Sequence, residues 1–421
     1  MKSKILRSLL FGFAAPCLAA MGTPQKSKSD KFKREAPAPL KFGSDGKFRI
    51  LHLTDIHDVD PDMDDDADRK IPLARDIETI NTIEKCLDIA KPDLVVFGGD
   101  NISGYWQEFT YDYIEKTIKK IVAPIAERNI PLAIVFGNHD GEAGFHREFQ
   151  MLIYSEYENF RSNFNDADVY GCGNCCLTIK SSDGSRDAFG IWLIDSNDYV
   201  KRPDGSFGYD RVHADQIEWY ERRAAQLREA NGGEPLPSIL FQHMPVQQEL
   251  DMLTETAENC ENVIDCGGRL FSFGDKLISG RLRERPCPPD ESLDAHDQLE
   301  SWKRMGDVIA AFFGHDHVND FIIPYEGIDL VNTNGTGFYI YGAGELHGAR
   351  LVTLHEADPT AYETQMLYYK DLIGTKLPFG FAGTWGAYVQ GIVLLAVGAL
   401  VLVGAGVTVL VVRLVKKGSV T

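Results

Sequence analysis

The sequence predicts an α/β layered fold followed by one C-terminal transmembrane helix. Three observations lead to that expectation. Short runs of apolar, β-branched and aromatic residues recur along the chain and end in polar clusters. Amphipathic helical patterns lie between several of these runs. Near the C-terminus, one uncharged run is long enough to cross a bilayer. Strands separated by helices call for layers of helix on sheet.

The elements follow in chain order. "FRILHLTDIHD" reads as a strand through Ile50, Leu51 and Leu53 that stops at Asp55 and His57. Ile80, Ile83 and Leu87 then share a helical face before Pro92. "DLVVFGGDN" is a buried-strand run ending at Asp100 and Asn101, and "LAIVFGNHDGE" is another ending at Asn138, His139 and Asp140. "FGIWLIDSNDY" ends at Asp195 and Asn197, and the amphipathic helix "ADQIEWYERRAAQL" follows it. "ILFQHMP" ends at His243, and "VIAAFFGHDHVNDF" ends at His315, Asp316 and His317. In α/β folds, functional groups gather beyond the carboxyl ends of strands. Core strands that each finish in a carboxylate, an amide or an imidazole therefore converge on one site. No repeat of solenoid period is present.

Composition bounds the function. A chain of 421 residues holds one large domain or two ordinary ones, and 44% hydrophobic with 25% charged residues is a globular balance. The formal net charge of −19 argues against a nucleic-acid partner, because phosphate backbones reward Lys/Arg surfaces.

Both ends read as targeting segments. Lys2, Lys4 and Arg7 precede a short apolar run with small residues near Ala19 and Ala20, the pattern of a signal peptide over 1–20. Residues 21–40 are rich in Lys, Ser and Pro and read as a flexible linker. The globular domain is expected over 41–372, with a juxtamembrane linker over 373–387. Gly391–Val412 carries no charge, and the transmembrane helix is expected over 388–412. Trp385 and Tyr388 precede that run, whereas Arg413, Lys416 and Lys417 come after it. The 413–421 tail is therefore expected in the cytoplasm and the domain outside it, on a single-pass anchor.

Cys17 leaves with the signal. Seven cysteines remain, at 86, 172, 175, 176, 260, 266 and 287. "CGNCC" has half the spacing of a zinc site. In an oxidising compartment, disulfides within or between "CGNCC" and "CENVIDC" are the expectation. Cys86 sits in an apolar helical pattern and reads as core.

The strand-end set is rich in Asp, His and Asn and contains no Cys. Such ligands suit Mn, Fe, Zn, Co or Ni, and the carboxylates also suit Mg. They are too many for one ion. Two divalent ions about 3.5–4 Å apart with a bridging carboxylate form the usual clamp for phosphoester hydrolysis. Two such cations outweigh the two ligand carboxylates and a hydroxide, so a phosphate would meet local positive charge on an acidic protein.

The ordered set Asp55-Ile-His57, Gly99-Asp100, Gly137-Asn138-His139-Asp140, His243 and Gly314-His315-Asp316-His317 resembles the calcineurin-like metallophosphoesterases, and in particular their purple-acid-phosphatase-like branch. It covers nearly the whole domain in the family's order. The resemblance implies two mixed β-sheets packed as a sandwich flanked by helices, with a dinuclear metal site at the strand C-termini. Asp55, His57 and His317 would hold one metal, and Asn138, His243 and His315 the other, with Asp100 bridging. His139 would stand over the substrate as the general acid, oriented by Asp140. True purple acid phosphatases resemble Gly-Asp-x-x-Tyr at the second motif, where this chain has Ser103, with Tyr105 two residues late. The tyrosinate ligand and its colour are thus expected to be absent.

These parts imply a phosphatase that hydrolyses phosphomonoesters by direct attack of a metal-bridging hydroxide, with His139 protonating the leaving group. A phosphodiesterase or nucleotidase would use the same centre, and a surface binding protein with a vestigial site is the reading from another class. The partners implied are a small phosphoester and the membrane. "DVDPDMDDDAD" lacks the glycine that an EF-hand loop needs and reads as a solvated acidic loop. Asn319 and Asp320 fit substrate contact or a turn equally well, and His347 reads as structural.

Overall fold

The computed structural model describes residues 37–380 apart from 61–69, 104–109, 203, 259 and 290–296. The signal segment, most of the linker, the proposed span over 388–412, the cytoplasmic tail, Tyr105 and most of the acidic loop lie outside the described residues. Among the described residues, no helix is long and apolar enough to cross a membrane.

Two mixed sheets stack face to face. The first has five strands in the order Asp358–Tyr368, Gly348–His355, Lys47–Leu53, Leu94–Gly98 and Leu132–Val135. The second has seven, in the order Leu40–Lys41, Cys175–Lys180, Asp187–Leu193, Ser238–Phe241, Val308–Phe313, Ile328–Asn332 and Ile322–Tyr325. Leu40, at the end of the expected linker, thus already belongs to a strand. Within the first sheet Lys47–Leu53, Leu94–Gly98 and Leu132–Val135 run parallel. Within the second, Asp187–Leu193, Ser238–Phe241, Val308–Phe313 and Ile328–Asn332 do the same.

The continuous apolar runs have a simple cause, which is that both faces of each central strand are covered. Phe48, Ile50, Leu94 and Val96 point into the layer between the sheets and meet Ile191, Ile239, Phe241 and Phe312. Leu51, Leu53, Val95 and Phe97 point the other way, onto helices Lys70–Ala90 and Tyr111–Glu127, where Ile83, Leu87, Ile114, Ile118 and Ile121 are buried. The outer face of the second sheet buries Trp192, Leu240 and Phe313 against Trp219, Leu227 and Trp302 of helices Ala214–Ala230 and Asp297–Met305. Each fully buried Leu, Ile or Phe stabilises by about 1.5–3 kcal/mol relative to exposure. The result is a helix–sheet–sheet–helix sandwich: the strand and helix patterns predict its layers, and the family resemblance implies its two stacked sheets.

Parallel neighbours in register end side by side. Leu53 pairs with Phe97, Gly98 with Val135, and Phe241 with Phe312. The segments just beyond these residues carry Asp55, Asp100, Asn138, His243 and His315. Register therefore delivers residues far apart in sequence to one edge of the sandwich.

Candidate metal centre

The chain turns sharply where each strand ends. Asp55, His57, Asp100 and His315 all adopt left-handed backbone, with φ of 49°, 46°, 50° and 69°. Non-glycine residues in that region cost on the order of 1–3 kcal/mol each and persist only where the surroundings impose them. Gly99 (φ 95°) begins the Asp100 turn. A Cβ on Gly137 would collide with the Asp100 carboxylate and amide, so the third motif needs glycine to pass the second.

These turns bring the ligand atoms of Asp55, His57, Asp100 and His317 within 4.8 Å of one another, and those of Asp100, His243 and His315 likewise. Asp100 belongs to both groups. His243 Nε2 lies 3.0 Å and His57 Nε2 3.5 Å from Asp100 Oδ2. His317 Nε2 lies 3.3 Å from Asp55 Oδ1 and 3.2 Å from His57 Nε2. All are buried.

The surrounding bonds orient the rings. The Nδ1–H of His243 donates to the Gly98 carbonyl at 2.9 Å, and that of His317 to the Tyr341 carbonyl at 2.9 Å. Both rings then turn Nε2 inward, the arrangement metal-ligating histidines ordinarily show. Burial pushes His317 down to about 4 and holds His57 and His315 well below the ordinary imidazole value, so these rings are neutral and present lone pairs. Burial would raise Asp100, but the His243 and His139 rings, the former also in hydrogen-bond contact, hold its carboxylate well below the usual range.

The donor set fits cations. Asn138 Oδ1 is buried without a hydrogen-bond partner, a costly state that ligation relieves, and Asp100 Oδ2 and His243 Nε2 are buried with only each other at 3.0 Å. Asp55 and Asp100 place two carboxylates in a dry site, and Asp55 is pushed up to about 7, first by burial and then, among other influences, by repulsion from Asp100. Two cation positions sharing Asp100 would satisfy both carboxylates and the lone pairs together. Asn138 lies between Gly137 and His139, both of which meet Asp100, and its oxygen is unpaired; its assignment to the second group is what the family resemblance implies.

His139 stands beside the ligands and lines a cavity of about 200 Å³ together with Asp100, Tyr209, Arg285, His315 and Tyr341. Burial disfavours its charged form, but the Asp100 and Glu142 carboxylates override that and raise it above the ordinary value. Its Nδ1 lies 2.7 Å from Glu142 Oε2. The expectation that Asp140 orients this ring is therefore corrected. Asp140 Oδ1 accepts the N–H groups of Asn101 and Ile102 at 2.9 and 3.1 Å, and Oδ2 accepts that of Gly137 at 2.8 Å. Those three orphan donors sit in the turns after two strands, and they draw the Asp140 carboxylate away from the imidazole.

Other sequence candidates resolve as structure. Asn319 Oδ1 accepts the backbone N–H of Arg283 and Glu284, and Asp320 Oδ2 accepts from Tyr368 Oη at 2.9 Å. Asp195 accepts from Arg147 and from the Cys172 amide. Buried His347 stacks on Phe338. The expected disulfides are absent among the described residues, where all seven cysteines are free. Burial pushes the Cys172 and Cys175 thiols up to about 12, as befits small core side chains.

Glu142, Tyr199, Tyr209, Arg285 and Tyr341 escape the sequence reading. Only Glu142 carried a local signal, lying three residues after His139 in a tight turn, Asp140–Ala143.

The profile described as calcineurin-like phosphoesterase matches residues 48–319, more than half of the chain. The chain belongs to that family. It is 29% identical over 336 residues to "Probable inactive purple acid phosphatase 14" of Arabidopsis thaliana, covering 76% of this chain and 77% of that one. It is 28% identical over 292 residues to "Phosphatase DCR2" of Saccharomyces cerevisiae, covering 68% of this chain and 46% of that one. Among solved structures it is similar to a dimetal phosphatase from Danio rerio, at 14% identity and a TM-score of 0.46, over 76% of this chain and 99% of that one. The relatives put the chain in the purple-acid-phosphatase-like branch, and it is a phosphoester hydrolase.

Proposed function

We propose that this chain is a membrane-anchored, extracytoplasmic phosphomonoesterase that works with two divalent cations. The observation that carries the proposal is the shared carboxylate. Asp100 belongs to two ligand groups at once, with His57 Nε2 of one and His243 Nε2 of the other lying 3.5 and 3.0 Å from its Oδ2. Asp55, His57 and His317 would hold one cation, Asn138, His243 and His315 the other, and Asp100 both. When bound, the cations supply positive charge against the phosphate and acidify water, the Lewis-acid chemistry of phosphoester hydrolysis.

The protein's own groups do the rest. His139, raised in pKa and pinned through Nδ1 to Glu142, can hold a proton on Nε2 for the leaving oxygen, a contribution typically of about 10²–10⁴-fold. Exposed Arg285 adds a cation to the cavity lining, where a phosphate arriving at an acidic protein gains attraction. A cavity of about 200 Å³ suits a phosphate with a small leaving group. The anchor rests on the uncharged Gly391–Val412 run and its basic flank.

Metal analysis coupled to a substrate panel tests the reading. Two ions per chain and faster turnover of p-nitrophenyl phosphate than of bis-p-nitrophenyl phosphate are expected. A preference for the diester would replace the monoesterase reading, and a chain without metal or turnover would leave a vestigial site. Protease added to intact cells, or to protoplasts, should release the domain.

A further inference from the structure

The hairpin of Tyr199–Lys201 and Phe207–Tyr209 reaches the metal centre without supplying a ligand. Tyr199 Oη accepts from Asn138 Nδ2–H at 2.8 Å and donates to Glu142 Oε1 at 2.8 Å. The other carboxylate oxygen, Oε2, accepts from His139 Nδ1–H at 2.7 Å. The Tyr199 ring is stacked on Tyr209 at 5.7 Å, and Tyr209 meets the His315 ring edge-on at 4.7 Å.

We propose that Tyr199 and Glu142 are positioning residues that hold Asn138 as an oxygen donor toward the second cation and lock the His139 ring through the same carboxylate. This rests on the dinuclear reading above. The physical reason is direction. An asparagine amide has one end that can ligate a cation and one that cannot. Both Glu142 oxygens face donors, His139 Nδ1 and Tyr199 Oη, so the carboxylate accepts the Tyr199 hydroxyl proton. The hydroxyl, its proton committed, can only accept from Asn138. Nδ2 must therefore face Tyr199, and Oδ1, which has no hydrogen-bond partner, is left for the cation. Without the carboxylate the hydroxyl could donate to the amide oxygen, and the amide would turn its NH₂ toward the ligands. The stack on Tyr209 holds the phenol in place, so one acidic side chain sets the polarity of a ligand and the orientation of a proton donor.

Two conservative variants of the full chain in detergent test this. Tyr199→Phe removes the hydroxyl and keeps the stacked ring. Glu142→Gln keeps the shape, replaces one of the two accepting oxygens with a donor and removes the negative charge on which both hydrogen bonds depend. Calorimetric titration of the metal-stripped protein with Mn²⁺ should show the second ion bound about 10–100-fold more weakly in both, with the first ion unchanged. Glu142→Gln should also lose more rate on an alkyl phosphate than on p-nitrophenyl phosphate, whereas Tyr199→Phe, which spares the His139 bond, should lose rate equally on both. A merely structural role would not produce that split. Should Glu142→Gln fail to fold, the Tyr199→Phe titration decides alone. A wild-type chain that binds fewer than two Mn²⁺ ions overturns the dinuclear reading and this proposal with it. Two ions in the wild type and undiminished affinity for both in the folded variants overturn this proposal alone.

Discussion

His57 Nε2 and His317 Nε2 face each other at 3.2 Å, and both rings are buried. The Nδ1–H of His317 donates to the Tyr341 carbonyl, so its Nε2 brings a lone pair to the contact. Asp55 Oδ1 lies only 3.3 Å from the same nitrogen, so a carboxylate oxygen and an imidazole lone pair face each other there, a crowding that a cation would relieve. Chelation should therefore destabilise the fold as well as stop turnover. A ligand saturating at 100 times its Kd stabilises by about 2.7 kcal/mol. Stripping metal should lower Tm by about 5 °C or more, and Mn²⁺ or Zn²⁺ should restore it in a thermal-shift scan. An unchanged Tm with unchanged activity would speak against resident metal.

Asp140 serves the turns and not the ring. Asp140→Asn replaces a three-fold acceptor with a group that carries its own donors against the amides of Asn101, Ile102 and Gly137. A stability loss of about 2–4 kcal/mol is expected in urea denaturation of the metal-loaded protein. Unchanged stability with a large drop in kcat would return Asp140 to an orienting role.

The role proposed for His139 shows in the leaving group. An alkoxide needs a proton in the transition state, and p-nitrophenolate scarcely does. His139→Ala should cost most of the ~10²–10⁴-fold contribution on an alkyl phosphate and visibly less on p-nitrophenyl phosphate, with metal content unchanged. Equal losses would mean general electrostatic stabilisation instead.

Glu249, itself no ligand candidate, makes a pH signature. Burial first, then repulsion from Asp316, holds its carboxyl well above the ordinary value of 4.5, while Asn332 Nδ2 donates to Oε1 at 2.7 Å. The folded state therefore keeps a proton that the unfolded chain has released. Above about pH 4.5 the unfolded state binds fewer protons, so this group's effect on stability becomes less favourable as pH rises toward the folded value. Glu249→Gln removes that slope. Its Tm relative to wild type should be higher at pH 8 than at pH 5, and equal offsets at both pH values would contradict the assignment.

The metal set is legible along the chain because each member sits just past a strand whose apolar run marks its end. Asp55, Asp100, His243 and His315 need only that local pattern, since parallel register then brings the ends together. The antiparallel strands Gly348–His355 and Asp358–Tyr368, the latter largely half-exposed, have no comparable run and go unread. The disulfide expectation fails for a related reason. Cysteine spacing does not say which sulfurs folding brings together, and all seven are free among the described residues.

Residue type and order along the chain thus determine the layered architecture, through hydrophobic runs and the polar residues just beyond them, and the ordered polar residues carry the family resemblance that names the seven ligand candidates. Which carboxylate serves which partner is settled only by folding. Asp140 is adjacent to His139, yet the amides of Asn101 and Ile102, thirty-nine and thirty-eight positions back, capture it. Glu142 takes the ring, and Tyr199 arrives from fifty-seven positions further on to face it. Unpaired backbone donors in a dry turn cost more than a misaligned side chain, so they claim the nearest carboxylate first, and sequence adjacency carries no record of that competition.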